Sequence, residues 1–178
     1  RKENEERVAE ELDYLGKKYN TKYFTFSDEA ISPNAFDRMS KAIISQGVEM
    51  RALGMLKFES DSVETVELFE NMHRAGFLML FFGLESANDR ILSIIEKGCN
   101  QATEKRVLKN SSLAGIWNHL YLFFGFPTEE KHEAQETIDF TVHHGELGDG
   151  TIHSIGQSIF SLEKDSAIYH NPAKFQIN

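Results

Sequence analysis

Glu85 follows an apolar run and a glycine in the stretch LFFGLESANDRILSIIEKG, residues 80–98. A carboxylate at the end of a buried strand can accept two hydroxyls of a ribose or pair with the amine of a ligand. The same carboxylate can cap the next helix or pair with a lysine. Lys97 closes the helical stretch that follows. It can turn back toward a ligand carboxylate as a point charge, or remain a solvated lysine at a helix end. Gly125-Phe126-Pro127, followed by Glu129, forms a glycine turn stiffened by proline. Its backbone N–H and C=O groups can read a flat purine edge, because glycine permits close approach. The plain alternative is a loop that caps a helix. Asp28 and Glu29 end another strand candidate.

The strand candidates themselves carry Arg51, Asn118, His119, Tyr121, His153 and Gln157. Alternation puts His119 and Tyr121 on one face and Asn118 on the other. His119 and His153, on different strands, can meet Asp28 or Glu29 as ligands of a divalent metal. His143 and His144 are adjacent at the end of a helical pattern, so they are predicted to point apart. Cys99 is the single cysteine. It excludes an intrachain disulfide framework, and a zinc or iron–sulfur site made only from this chain's thiolates. With no histidine at a recognisable motif spacing, a half-buried structural role is expected for it. No P-loop, GxGxxG, HExxH or GxSxG is present.

These groups need strands and helices to place them. The aromatic run 22–28 reads as a first strand, followed by 48–53, 77–82, 116–124 and 152–160. Between them, apolar residues recur at helical spacing: Phe36, Met39 and Ile43; Val66, Phe69 and Met72, with Asp61 or Ser62 as cap; Ile91 and Ile95; Lys105 to Ala114; and Ala134, Ile138 and Val142. A helix over 3–15 opens the chain, with Val8, Leu12 and Leu15 on one face. Continuous apolar strands alternating with helices predict an α/β fold with a parallel sheet. The sheet can curl as an incomplete barrel or lie flat in a doubly wound layer. In both, ligands bind in the loops after the strands. The tail 161–178 is poorly patterned.

The chain has 178 residues, 40% of them apolar, and a formal net charge of −9. That length predicts one domain with a real core. The negative charge predicts no general attraction for nucleic acid. No apolar run reaches the length of a membrane span. The opening RKENEERVAEELD has no apolar signal-peptide core, so a cytoplasmic protein is expected.

LFFGLESANDRILSIIEKG, then AGIWNHLYLFFGFPTEE, with YFTFSDEAI upstream, resembles the radical S-adenosylmethionine (SAM) superfamily. The nearest flavour is the group whose members often carry a cobalamin-binding domain, and the similarity runs from about residue 5 to residue 160. The resemblance implies a partial (βα)6 TIM-like barrel. It implies that Glu85 binds the SAM ribose and that Lys97 holds the SAM carboxylate. Gly125, Phe126, Pro127 and Glu129 would border adenine, Tyr121 would add a polar ribose contact, and Arg51 would be a further SAM or substrate contact. Asp28, Glu29, His119 and His153 would face the substrate. The family binds a 4Fe-4S cluster through CxxxCxxC and cleaves SAM, with one electron from a donor, to a 5′-deoxyadenosyl radical.

CxxxCxxC is absent here, and so is the cobalamin motif DxHxxG. The first barrel strand has no counterpart either. The expectation is therefore a piece of a longer radical SAM enzyme, unable alone to assemble the cluster or turn over, binding SAM poorly, with no cofactor expected on this chain by itself. Cobalamin would belong to an N-terminal domain outside it. The exposed sheet edge would invite self-association. A degenerate barrel serving as a protein-binding scaffold, and a metal-dependent lyase or isomerase built on His119, His153 and Asp28, are the competing readings.

Overall fold

The fold is seen in a computed structural model that describes residues 5–28, 31–59 and 64–177. Helix α1, Glu5–Tyr19, buries Ala9 and Leu12 and is laced outside by the i,i+4 pairs Arg7–Glu11 and Asp13–Lys17. Strand β1, Tyr23–Thr25, leads to α2, Pro33–Ser45. Proline stands in the first turn of α2 and Ser32 caps it, where an N–H would have no partner in any case. Phe36, Met39 and Ile43 form its buried stripe, as their spacing predicts.

Strand β2, Arg51–Met55, starts later than the apolar pattern suggests. The Val48 N–H is used by the Ile43 carbonyl in the closing turn of α2, which delays the strand. Helix α3, Val66–Ala75, is capped by Thr65 and ended by Gly76. The alternative caps Asp61 and Ser62 lie outside the described residues.

Strand β3, Phe77–Glu85, is longer than its apolar run and takes in Glu85 itself. Short α4, Asp89–Ile94, is followed by α5, Gln101–Leu113, by β4, Trp117–Phe124, and by α6, Lys131–His144. Strand β5, Ser154–Ile159, completes the sheet, and a last short helix α7, Ala167–His170, precedes a 3-10 turn at Pro172–Phe175.

All four strand pairings are parallel and the order is β1-β2-β3-β4-β5. A doubly wound sheet reverses its order at a switch point. This one never reverses, and its strands curl into an open half-barrel. One face is dry: Ala52, Leu80, Phe82, Leu84, Leu120 and Leu122 pack with residues of α2, α3 and α5 in one core. Burying a phenylalanine such as Phe82 there contributes about 2–3 kcal/mol. The opposite face, with Met79, Phe81, Gly83 and Glu85 on β3 and His119 and Tyr121 on β4, is only partly covered.

A second cluster caps the end of the sheet. Phe126, Ile91 and Phe175 are buried together, with Phe123 and Phe160 against them. The tail that reads as patternless thus returns over α4, and Lys174 pairs with Glu96 at 2.8 Å. Among the described residues no helix is long and apolar enough to cross a membrane.

Candidate functional site

Glu85 sits on a β-bulge. Gly83 faces Tyr121 and Glu85 faces Leu122, so Leu84 is the extra residue, and Glu85 takes a left-handed φ of 64°. That conformation costs a non-glycine residue on the order of 1 kcal/mol, and such strain gathers at functional positions. Alternation from Phe81 and Gly83 puts the carboxylate on the open face, and the bulge brings it opposite Leu122. There Lys97 Nζ donates to Glu85 Oε1 at 3.1 Å, and both side chains are about three-quarters buried or more. The pair lies over Gly83. A Cβ on residue 83 would collide with Glu85 Oε1 and stand 2.9 Å from Lys97 Nζ. The glycine, the carboxylate and the ammonium therefore form one arrangement.

The floor beneath is aromatic. Phe81 stacks on Tyr121 at 5.9 Å, and His119 meets the two rings edge-on at 5.1 Å and 4.7 Å. His119 Nδ1 shares a 2.7 Å hydrogen bond with Ser154 Oγ, and Gly156 leaves room for the Tyr121 and His119 rings. Burial lowers the His119 pKa, which favours the neutral ring. As alternation predicts, Asn118 points the other way, and its amide donates to the Leu108 and Thr151 carbonyls.

The turn after β4 is engaged with itself. The Gly125 N–H donates to Glu129 Oε2, and the Glu129 N–H donates to the Phe126 carbonyl at 2.7 Å. The Phe126 side chain is in the second core cluster, so only its backbone faces the mouth, while Pro127 is exposed. The Gly125 N–H is therefore already engaged within the turn.

The loop after Glu85 is wired to α6. Ser86 Oγ and Thr137 Oγ1 lie 3.2 Å apart, the Ala87 N–H donates to Thr137 Oγ1, and the Asn88 amide donates to Glu136 at 2.6 Å. Asn88 also caps α4, as its residue type predicts. Arg90 grips the buried Glu133 carboxylate through two nitrogens and donates to the Thr128 carbonyl at 2.6 Å. Glu133 in turn completes a capping box with Glu130. Arg90 escaped the sequence reading. The available signal was the E-x-x-E at the start of α6, a buried capping acid in need of a cation.

Behind Lys97 lies a buried acid. Glu104 is fully buried, and its Oε2 has no hydrogen-bond partner among the described residues. Burial pushes its carboxyl up to about 9, while Lys97 pulls it back down. Cys99 Sγ donates to Glu104 Oε1 at 3.9 Å, and burial and then Glu104 push the thiol up to about 12. Cys99 is therefore a packed thiol and no thiolate nucleophile. Between the unfolded value near 4.5 and about 9, the folded chain keeps a Glu104 proton that the unfolded chain releases. Stability must fall as pH rises through that window. Glu104→Gln is expected to remove at least about 1 kcal/mol of the fall between about pH 5 and about pH 8 in urea unfolding. An unchanged slope would show that Glu104 is ionised in the fold.

Other sequence candidates lie apart. Arg51 opens β2 beside Tyr23 and Gly76, at the end of the sheet where strands begin. It is roughly 25 Å along the strands from Glu85, so the structure does not bring it to the mouth. Asp28 is exposed after β1, three strands from β4. Glu29 lies outside the described residues. His153 stacks on Trp117, and its Nδ1 accepts the Asn118 N–H at 3.2 Å; burial lowers its pKa. His119, His153 and Asp28 therefore form no metal-ligand group.

A family model, that of the radical SAM superfamily, matches residues 1–141. The chain belongs to the radical SAM superfamily. It is 31% identical over 138 residues to an uncharacterized methyltransferase of Pyrococcus horikoshii, covering 76% of this chain and 29% of that protein. It is 29% identical over 124 residues to the bacteriochlorophyllide d C-12(1)-methyltransferase of Chlorobaculum tepidum, covering 68% of this chain and 26% of that protein. Among solved structures, the radical SAM methyltransferase TsrM of Kitasatospora setae, with cobalamin and a 4Fe-4S cluster bound, superposes with a TM-score of 0.72. That match has 15% identity and covers 89% of this chain and 31% of TsrM, so it establishes a shared fold. This radical SAM chain spans less than a third of the length of each. A cluster held by three thiolates does not fit its residues, since Cys99 is the single cysteine and is packed against Glu104.

Proposed function

We propose that this chain is the SAM-cradling portion of a radical SAM enzyme. The observation that carries the reading is the Glu85–Lys97 pair folded over Gly83, where β3 ends above an aromatic floor. A zwitterionic nucleoside needs an acceptor for its ribose hydroxyls and a cation for its carboxylate. Glu85 would take the hydroxyls and Lys97 the carboxylate, exchanging their mutual bond for bonds to the ligand. Tyr121 would border the ribose. The backbone from Gly125 to Pro127 would border the adenine, with Glu129 holding that turn in shape. His119, its ring favoured neutral and on the same face, would look toward the substrate side; Asp28 and His153 would stand further out.

In the whole enzyme, SAM and a 4Fe-4S cluster would supply one-electron reductive cleavage of a carbon–sulfur bond, with the electron drawn from a donor. The cluster thiolates, and any cobalamin of the kind seen in TsrM, would lie in sequence beyond this chain. What these residues contribute is binding, orientation and exclusion of water. Alone, the chain is expected to bind SAM without turning it over.

Amide chemical-shift titration of the 178-residue chain with SAM is the test. The expected result is saturable binding with a Kd on the order of 1 mM, since the cluster's share of the grip is absent. Shifts should be centred on β3, β4 and Lys97. A folded chain with no saturable response up to about 10 mM, or one whose shifts centre elsewhere, would overturn the reading.

A further inference from the structure

Helical spacing predicts that His143 and His144 point apart, yet the structure brings their rings to 4.7 Å, edge to face. Asp149 joins them from the loop between α6 and β5. His144 Nδ1 and Asp149 Oδ2 are 2.6 Å apart, and one ligand atom from each of the three residues lies within 4.8 Å of the others. We propose that His143, His144 and Asp149 form a site for a borderline divalent metal such as Zn²⁺, which clips the end of α6 to the chain entering β5.

The donor chemistry selects the ion. Two imidazoles and one carboxylate suit zinc, cobalt or nickel, whereas calcium and magnesium require oxygen shells. Ligand atoms around a tetrahedral zinc, at bonds of roughly 2.1 Å, stand roughly 3.4 Å apart. The His144–Asp149 pair would open by less than about 1 Å to admit the ion, and exposed His143 would swing inward by about 1–1.5 Å. Three protein ligands leave a fourth position for water.

Much of the site is already fixed. His144 is buried, with its ring 4.5 Å from Phe140. The second Asp149 oxygen accepts from the Thr151 N–H at 3.0 Å and from the Thr151 hydroxyl at 2.8 Å, which orients the carboxylate as an outer partner orients a metal ligand. The loop is pinned in return. The Asp149 N–H donates to the His143 carbonyl at 3.0 Å, the Ile152 N–H donates to the His144 carbonyl at 2.7 Å, and Gly148 packs so close to the His143 carbonyl that a Cβ would collide with it. The negative end of the α6 dipole also faces the ion.

The place in the fold indicates the role. The loop 145–153 enters β5, so the site lies at the end of the sheet where strands begin. Glu85 and Lys97 are at the other end. In barrels of this kind the entry end serves stability and the exit end serves chemistry. The metal would be structural, fastening the last strand of the open half-barrel.

The 178-residue chain, stripped with a chelator, is titrated with Zn²⁺ against a chromophoric competitor and separately with Co²⁺. One equivalent should bind, with the visible absorption of a low-coordinate cobalt site, and Zn²⁺ should raise the melting temperature. His143→Ala changes only an exposed side chain, so it tests the site without threatening the core. It should weaken binding at least about tenfold and abolish the thermal shift, and Asp149→Asn should do likewise. No bound zinc, or zinc bound equally well by His143→Ala, overturns the proposal.

Discussion

Arg90→Met is expected to destabilise the fold by about 2–3 kcal/mol at neutral pH. The loss comes from what the substitution strands. Glu133 is 3% exposed and makes a forked pair with Arg90, while the Thr128 carbonyl depends on the same guanidinium. Breaking a buried ion pair from one side costs about 3–5 kcal/mol, and this figure is reduced because Arg90 itself is 41% exposed. The hydrogen bond from Arg90 holds the Glu133 carboxyl down at about 2. Unfolded, the group titrates near 4.5, so its contribution is complete above that value and is lost as pH falls toward about 2. Urea unfolding of wild type and variant at about pH 7 and about pH 3 checks this. The gap between the two chains should narrow in acid. A variant as stable as wild type at neutral pH would show that Glu133 finds other solvation, and that Arg90 does not fasten the loop after β3 to α6.

The two pairs Arg90–Glu133 and Glu85–Lys97 mark the boundary of what the sequence reveals. Strand–helix alternation is a local periodicity, so the parallel sheet and the sharing of one face by His119 and Tyr121 were legible. So was the capping role of Asn88, which depends on neighbours two and three residues away. Contacts across long separations were not. Arg90 meets Glu133 across 43 positions, and Phe175 joins Ile91 and Phe126 from a tail without periodicity. The family resemblance placed Glu85 and Lys97 as candidate ligands, but residue type alone could not show that they meet over Gly83. The bulge at Glu85 is a register shift against β4, a property of two strands together. Arg51 stands at the end of the sheet where strands begin, because β2 starts later than its apolar pattern suggests. Alternation gives the face a strand residue occupies and leaves open which end of the sheet it stands at.

Lys97→Met and Glu85→Gln should separate the two halves of the proposed ligand. A charge-assisted hydrogen bond contributes about 1.5–3 kcal/mol, so each change should weaken SAM binding by roughly 10–100-fold. The probes 5′-methylthioadenosine, which lacks the amino-acid carboxylate, and SAM assign the roles. If Lys97 holds the carboxylate, Lys97→Met weakens SAM and leaves methylthioadenosine unaffected. If Glu85 holds the ribose, Glu85→Gln weakens both ligands. The fold should survive either change, because the pair is only partly buried and the sheet packs its core on the other face. Removing one member leaves its partner to find water, at a stability cost of about 1 kcal/mol. Gly83→Ala adds a control from the backbone side. Its Cβ would enter the space that Glu85 Oε1 and Lys97 Nζ occupy, so it should weaken both ligands while keeping both charges. Equal binding of SAM by Lys97→Met, Glu85→Gln and wild type would remove the pair from the ligand site, however closely its two members meet.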